Sequence, residues 1–162
     1  MTHASLLLTS AVIVLLSAGC GKKDVRTTVA AGPEGSVQYT ARGAGGETAQ
    51  ITAGGGAAQV KLPSYLPLYP GAVVESSMVA SGGANTGNLV MFHTASKPAD
   101  VIAFYKQKAA GAGFGSNFSN QSGDNMMFTA GKEGSEEGLQ VVATPADGGA
   151  SVQLTWTQGK KG

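Results

Sequence analysis

The sequence predicts an α+β fold: a twisted antiparallel sheet of about five or six strands with one helix packed on one face, in the order β-β-α-β-β-β. Three observations predict it. Short runs from residue 72 onward alternate apolar and polar side chains with period two. One segment, Lys97 to Ala110, has helical spacing instead. Everything before residue 62 lacks the apolar content of a packed domain, apart from one apolar run near the start that no charge interrupts.

That run, Leu6 to Ala18, contains no Lys or Arg. It is too short for a membrane span, which needs about 20 apolar residues. It suits the apolar core of a secretory leader, which has about 7–15. It closes on Ser17-Ala18-Gly19 and then Cys20, the single cysteine of the chain. Leu15-Leu16-Ser17-Ala18-Gly19-Cys20 resembles the lipobox of bacterial lipoprotein signal peptides. The resemblance implies that residues 1–19 are removed and that the Cys20 sulfur and new amino group carry acyl chains. Two or three such chains hold a domain on a membrane stably, where one binds only marginally. Gly21 follows the cysteine where, by resemblance to the enteric sorting rule, Asp would retain the protein in the inner membrane. The expected location is therefore the outer membrane of a Gram-negative-type envelope, facing the periplasm. The expected membrane contact is through Cys20.

Residues 20–61 are rich in Gly and Ala, with Gly43-Ala44-Gly45-Gly46 and Gly54-Gly55-Gly56. Two readings stand level. One is a flexible tether. The other is a loose hairpin turning at Gly45-Gly46, since Ser36 to Ala41 and Thr48 to Thr52 alternate weakly. The folded domain is expected over residues 62–158, with a short tail at 159–162.

Leu62-Pro63-Ser64-Tyr65-Leu66-Pro67-Leu68-Tyr69-Pro70-Gly71 opens the domain as an extended, proline-rich strip whose Leu and Tyr side chains dock on its edge. Ala72 to Ala80 reads as a strand and Ser81 to Gly87 as a turn-rich loop. Asn88 to Thr94 reads as a second strand, with Leu89, Met91 and His93 on one face and Val90 and Phe92 on the other. Ser96 is the expected N-cap of the helix, Pro98 and Asp100 suit its first turn, and Gly111 and Gly113 end it. Val101, Phe104, Tyr105, Lys108 and Ala112 share its expected buried face. Four strands follow. Phe114 to Asn120 is the weakest. The next two place Met126, Phe128 and Ala130, then Leu139, Val141 and Ala143, on single faces. The last places Val152, Leu154 and Trp156 together, after a hairpin over Pro145 to Gly149. Leu68 to Ala72, Val90 to Thr94, Val101 to Lys106 and Gly113-Phe114 together resemble a recurrent domain of small exported bacterial lipoproteins of unknown function. That resemblance implies architecture and no activity.

Composition excludes several function classes. Lys+Arg 11 against Asp+Glu 10 gives a net charge of +1, too little to recruit nucleic acid. One Cys and two His exclude a disulfide scaffold and a Cys–His metal centre. No G-x-S-x-G elbow or H-E-x-x-H helix is present, and His93 is the only histidine left after leader removal. Glu75 is the single carboxylate expected inside a strand, and a solvated face accounts for it. No catalytic, metal or cofactor-binding residue is therefore expected. A candidate binding surface combines Tyr65 and Tyr69 of the strip with Asn117, Phe118 and Asn120, an aromatic among amides. The expected role is non-enzymatic: an accessory or interaction module in envelope assembly that touches another envelope protein. The alternative is a periplasmic binder of cell-wall glycan or a small ligand.

Overall fold

The computed structural model describes residues 14–16, 25–32, 35–55, 60–82 and 85–159, the side chains of 14–16, 116 and 117 excepted. Among these residues ten strands and one helix occur in the order β1 (Val14–Leu16), β2 (Arg26–Ala31), β3 (Val37–Arg42), β4 (Thr48–Ala53), β5 (Val73–Gly82), β6 (Asn85–Thr94), α1 (Pro98–Gly111), β7 (Gly115–Ser122), β8 (Asn125–Gly131), β9 (Gly138–Ala146) and β10 (Gly149–Gly159). They form one sheet in the spatial order β1-β2-β3-β4-β5-β6-β10-β9-β8-β7, every neighbour antiparallel.

The α+β class and the single helix are as expected, but the sheet is larger. From Arg26 onward it has nine strands. The added strands come from the Gly/Ala-rich segment. β3 and β4 pair from Val37↔Ala53 to Arg42↔Thr48, the hairpin of the two readings. The chain turns through Gly43 to Glu47, where Gly46 adopts a φ of 88° that only glycine takes without strain. β4 continues onto β5 through Ile51↔Met78, and β2, which alternation did not reveal, adds on the other side. β3 and β4 thus gain ladder bonds on both sides, which offsets a small apolar area.

The core lies between α1 and the C-terminal strands. Val90 and Phe92 of β6, Val152, Leu154 and Trp156 of β10, Leu139, Val141 and Ala143 of β9, and Phe128 and Ala130 of β8 are all buried on one face. Alternation in the sequence therefore assigned these faces correctly. Val101, Ile102, Tyr105 and Ala109 of the helix cover them. Two helix expectations need correction. The N-cap is Lys97, in extended conformation and without a side-chain bond, because the Ser96 amide instead donates to Thr94 Oγ1. Lys108 is exposed, and Ile102 and Ala109 take its expected place. The strip 60–72 lies on the same core and covers the helix flank, so the helix buries an arc shifted away from Lys108.

The two expected loops are tighter than the sequence suggests. β5 extends to Gly82 and β6 begins at Asn85, so most of 81–87 is strand. β9 runs through Pro145 to Ala146, leaving Asp147-Gly148 as the turn, with Gly148 at a φ of 77°. Pro145 is tolerated because β9 has no β8 partner past Ala143, so its missing N–H breaks no ladder bond on that side.

Candidate functional site

Of the five residues expected to form one surface, the four whose side chains are described fall on opposite faces of the sheet. Tyr65 and Tyr69 lie on the helix side, in an aromatic chain that fastens the strip. The Tyr65 and Phe114 ring centroids are 5.2 Å apart. Tyr69 meets Phe104 edge-on at 5.1 Å, and Phe104 meets Tyr105 at 5.1 Å. The Tyr105 hydroxyl donates to the Pro67 carbonyl at 3.3 Å, and Leu66, next to Pro67 in the strip, is fully buried. Burial pushes the Tyr105 pKa well above the ordinary tyrosine value, partly offset by the Tyr69 backbone amide. Tyr65 is half-buried with its hydroxyl unpartnered by protein, and burial followed by the Glu137 carboxylate raises its pKa. Both strip tyrosines thus serve packing. Their rim is basic: Lys108 Nζ sits 5.3 Å from the Phe104 centroid and Lys132 Nζ 6.0 Å from that of Phe114.

Phe118 and Asn120 lie on the other face. Phe118 pairs with Thr129 and Asn120 with Met127, and these alternate with the core-facing Phe128 and Ala130. Phe118 is 50% exposed. Asn117 falls where the β7–β8 register shifts, between Ser116 and Phe118, as the unpaired residue of a bulge. β7 ends the sheet, so one row of its N–H and C=O groups faces outward, and Gly115–Ser122 carries no charged residue.

Other chemistry is sparse among the described residues. No group of three or more His, Cys, Asp or Glu is placed to hold a metal ion. His93 is half-buried, its Nδ1 3.4 Å from the Ala150 carbonyl oxygen. Glu75 is exposed where the β5–β6 register shifts, and its carbonyl accepts from the Gly54 amide. One open hollow of about 390 Å³ is lined by Lys97, Pro98, Gln121, Asp124, Met126 and Pro145, without an aromatic ring. Another of about 730 Å³ runs along Gly113 to Gly115 and Gly131 to Glu133. Neither converges polar groups on an apolar floor as small-molecule sites do. Cys20, the expected acylation site, lies outside the described residues.

Sequence reasoning missed one surface. Val37, Tyr39, Ile51 and Met91 are each more than a third exposed, on the same face as Phe118 but toward the opposite edge. The weak alternation of 36–41 and 48–52 was its signal, and pairing of those strands with β5 completes it.

The sequence model of a family described as START domain-like matches residues 73–159, from the start of β5 to the end of β10. No curated protein and no solved structure matches the chain.

Proposed function

The chain belongs to the START domain-like family, and on that premise we propose that it is a lipid-anchored envelope protein whose domain works as a non-enzymatic interaction module. Acylated Cys20 ties it to the outer membrane, facing the periplasm, and the exposed edge β7 takes a strand or loop of another envelope protein. The observation that carries this reading is β7 itself. It is a sheet edge without a single charge, and its own Phe118 is half-exposed. Natural edges are commonly blunted by charge, proline or a bulge; β7 has the bulge at Asn117 but neither charge nor proline, and the regular stretch from Phe118 to Ser122 is a template for strand addition. Backbone bonds would supply affinity there and Phe118 an anchor.

A photo-crosslinking residue at Phe118, in cells carrying the full chain, should capture a defined envelope protein. The same residue at Asp147, in the exposed β9–β10 turn, should not. Equal capture at both positions refutes the edge as the contact. Replacement of Cys20 by Ala should abolish incorporation of an alkyne fatty acid, and equal labelling of the variant refutes the anchor. The second reading, a glycan binder, is favoured by one observation: Phe118 and Asn120 share a face two residues apart. Sedimentation with purified cell wall that is lost on Phe118→Ala would select it.

A further inference from the structure

The two faces of the sheet exchange character along its width. Under the helix, β6 and β8–β10 are apolar on the helix side. On the same side of β2–β4 stand Thr28, Thr40 and Gln50 in one row and Ala30, Gln38 and Thr52 in the next. The opposite face reverses this. Its central row reads Val29, Tyr39, Ile51, Met78 and Leu89 from β2 to β6, then Thr155, Gln140 and Thr129 across β10, β9 and β8. The flanking rows on β2–β6 are Ala31, Val37, Ala53, Ser76 and Met91, and Thr27, Ala41, Ala49, Ala80 and Gly87. None of these fifteen positions holds Asp, Glu, Lys or Arg. Among the described residues no element packs on this apolar, uncharged face: α1 lies against β7–β10 and on the other side.

We propose that this face of β2–β6 rests on the lipid surface to which Cys20 ties the chain, a reading that adopts the anchor of the previous section and adds an orientation. Five residues separate Cys20 from Arg26, a reach of about 20 Å at full extension over the six steps, so β2 is held close to the bilayer. The central row is apolar on the strands nearest that anchor and gives way to Thr and Gln beyond β6, where only Val142, Met127 and Phe118 are apolar among the described positions of the central and neighbouring rows on this face. A second copy is a weaker occupant. Five strands spaced ~4.8 Å apart, each offering ~20 Å of length, cover roughly 450 Å² per copy. Face-to-face stacking would bury roughly 900 Å², below the ~1,200 Å² where stable interfaces begin. A chain already held by acyl groups needs no such area, because tethering makes the second contact intramolecular.

The test uses the full chain, processed in a lipoprotein-exporting host and reconstituted into phosphatidylethanolamine–phosphatidylglycerol vesicles. Single Ile51→Cys, Gln50→Cys and Gln140→Cys variants carry a bimane label and are read with and without nitroxide-bearing lipids. The expected result is a blue shift and lipid-dependent loss of emission at position 51 alone. Positions 50, on the opposite face, and 140, on the same face far from the anchor, should not respond. Equal response at 51 and 50 overturns the proposal. So does a shielded probe at 51 that lipid nitroxide does not quench and that crosslinks to a second copy. Trp156 emission in each variant checks the fold. Detergent-phase partition with and without Cys20→Ala reads the anchor separately, so loss of the anchor and loss of the lipid-facing sheet give different patterns.

Discussion

Trp156 offers the sharpest test of the core, because its two halves pull in opposite directions. It is 1% exposed on β10, between Asn88 of β6 and Leu139 of β9, so nearly the whole side chain leaves water on folding. At ~250 Å² and ~25 cal/mol per Å², that burial stabilises by at most ~6 kcal/mol. Its indole N–H, however, is buried with no hydrogen-bond partner in the protein, which costs about 1–3 kcal/mol. Trp156→Ala should therefore destabilise by about 3 kcal/mol, the low end of the usual ~3–5 kcal/mol. Trp156→Phe gives up only about a fifth of the area, roughly 1 kcal/mol, and removes the orphan donor. It should be neutral within about 1 kcal/mol. Urea unfolding followed by far-ultraviolet circular dichroism reads both, with unchanged slope confirming the same folded state. If Trp156→Phe costs half as much as Trp156→Ala or more, the N–H has a buried water as partner, and the reasoning fails.

The raised pKa of Tyr105 makes stability fall with pH on the alkaline side: the unfolded chain loses that proton near pH 10 while the folded chain keeps it. Above pH 10 the loss should approach about 1.4 kcal/mol per pH unit, and Tyr105→Phe should flatten it while costing about 1 kcal/mol at neutral pH, as read by urea titrations at stepped pH. A Cβ on Gly149 would collide with the Thr94 carbonyl oxygen and the Ala95 backbone, where β10 begins beside β6. Gly149→Ala should thus cost about 3 kcal/mol, seen as a drop in thermal midpoint, whereas Gly111→Ala, whose Cβ meets nothing within 4 Å, should be neutral or stabilising. Limited proteolysis of the soluble Cys20→Ala variant should leave a fragment that retains Tyr39, since β3 and β4 are laddered into the sheet; a fragment beginning near Leu62 would contradict that pairing.

Legibility tracked apolar content. Val152, Leu154 and Trp156, or Met126, Phe128 and Ala130, declare their faces because each strand has one side under α1 and one in water. Helix limits were readable within a residue from Pro98 and Gly111. The cap was not, because Ser96 is drawn into a local bond with Thr94 that spacing cannot reveal. β2 was invisible for a different reason. Arg26 to Ala31 buries little, and pairing with β3 holds it in place. For the candidate site, Phe118 and Asn120 were identifiable as exposed polar-edge residues. Tyr65 and Tyr69 were not separable from them, because a tyrosine that packs and one that recognises look alike until its neighbours are known.

The position of β10 sets the timetable of folding. The chain writes β2 to β6, then the helix, then β7 to β9, and only afterwards the strand that sits between the two groups. Until Gly149–Gly159 arrives, β6 and β9 have no common neighbour, and Val90, Phe92, Leu139 and Val141 have no shared floor. The joining pairs span large sequence distances, from Thr94↔Ala150 to Asn85↔Gly159. Such late, long-range closure slows folding and makes it all-or-none. A chain emerging amino end first from a ribosome can therefore pair β2 to β6 as local hairpins but cannot close its core until β10 has emerged.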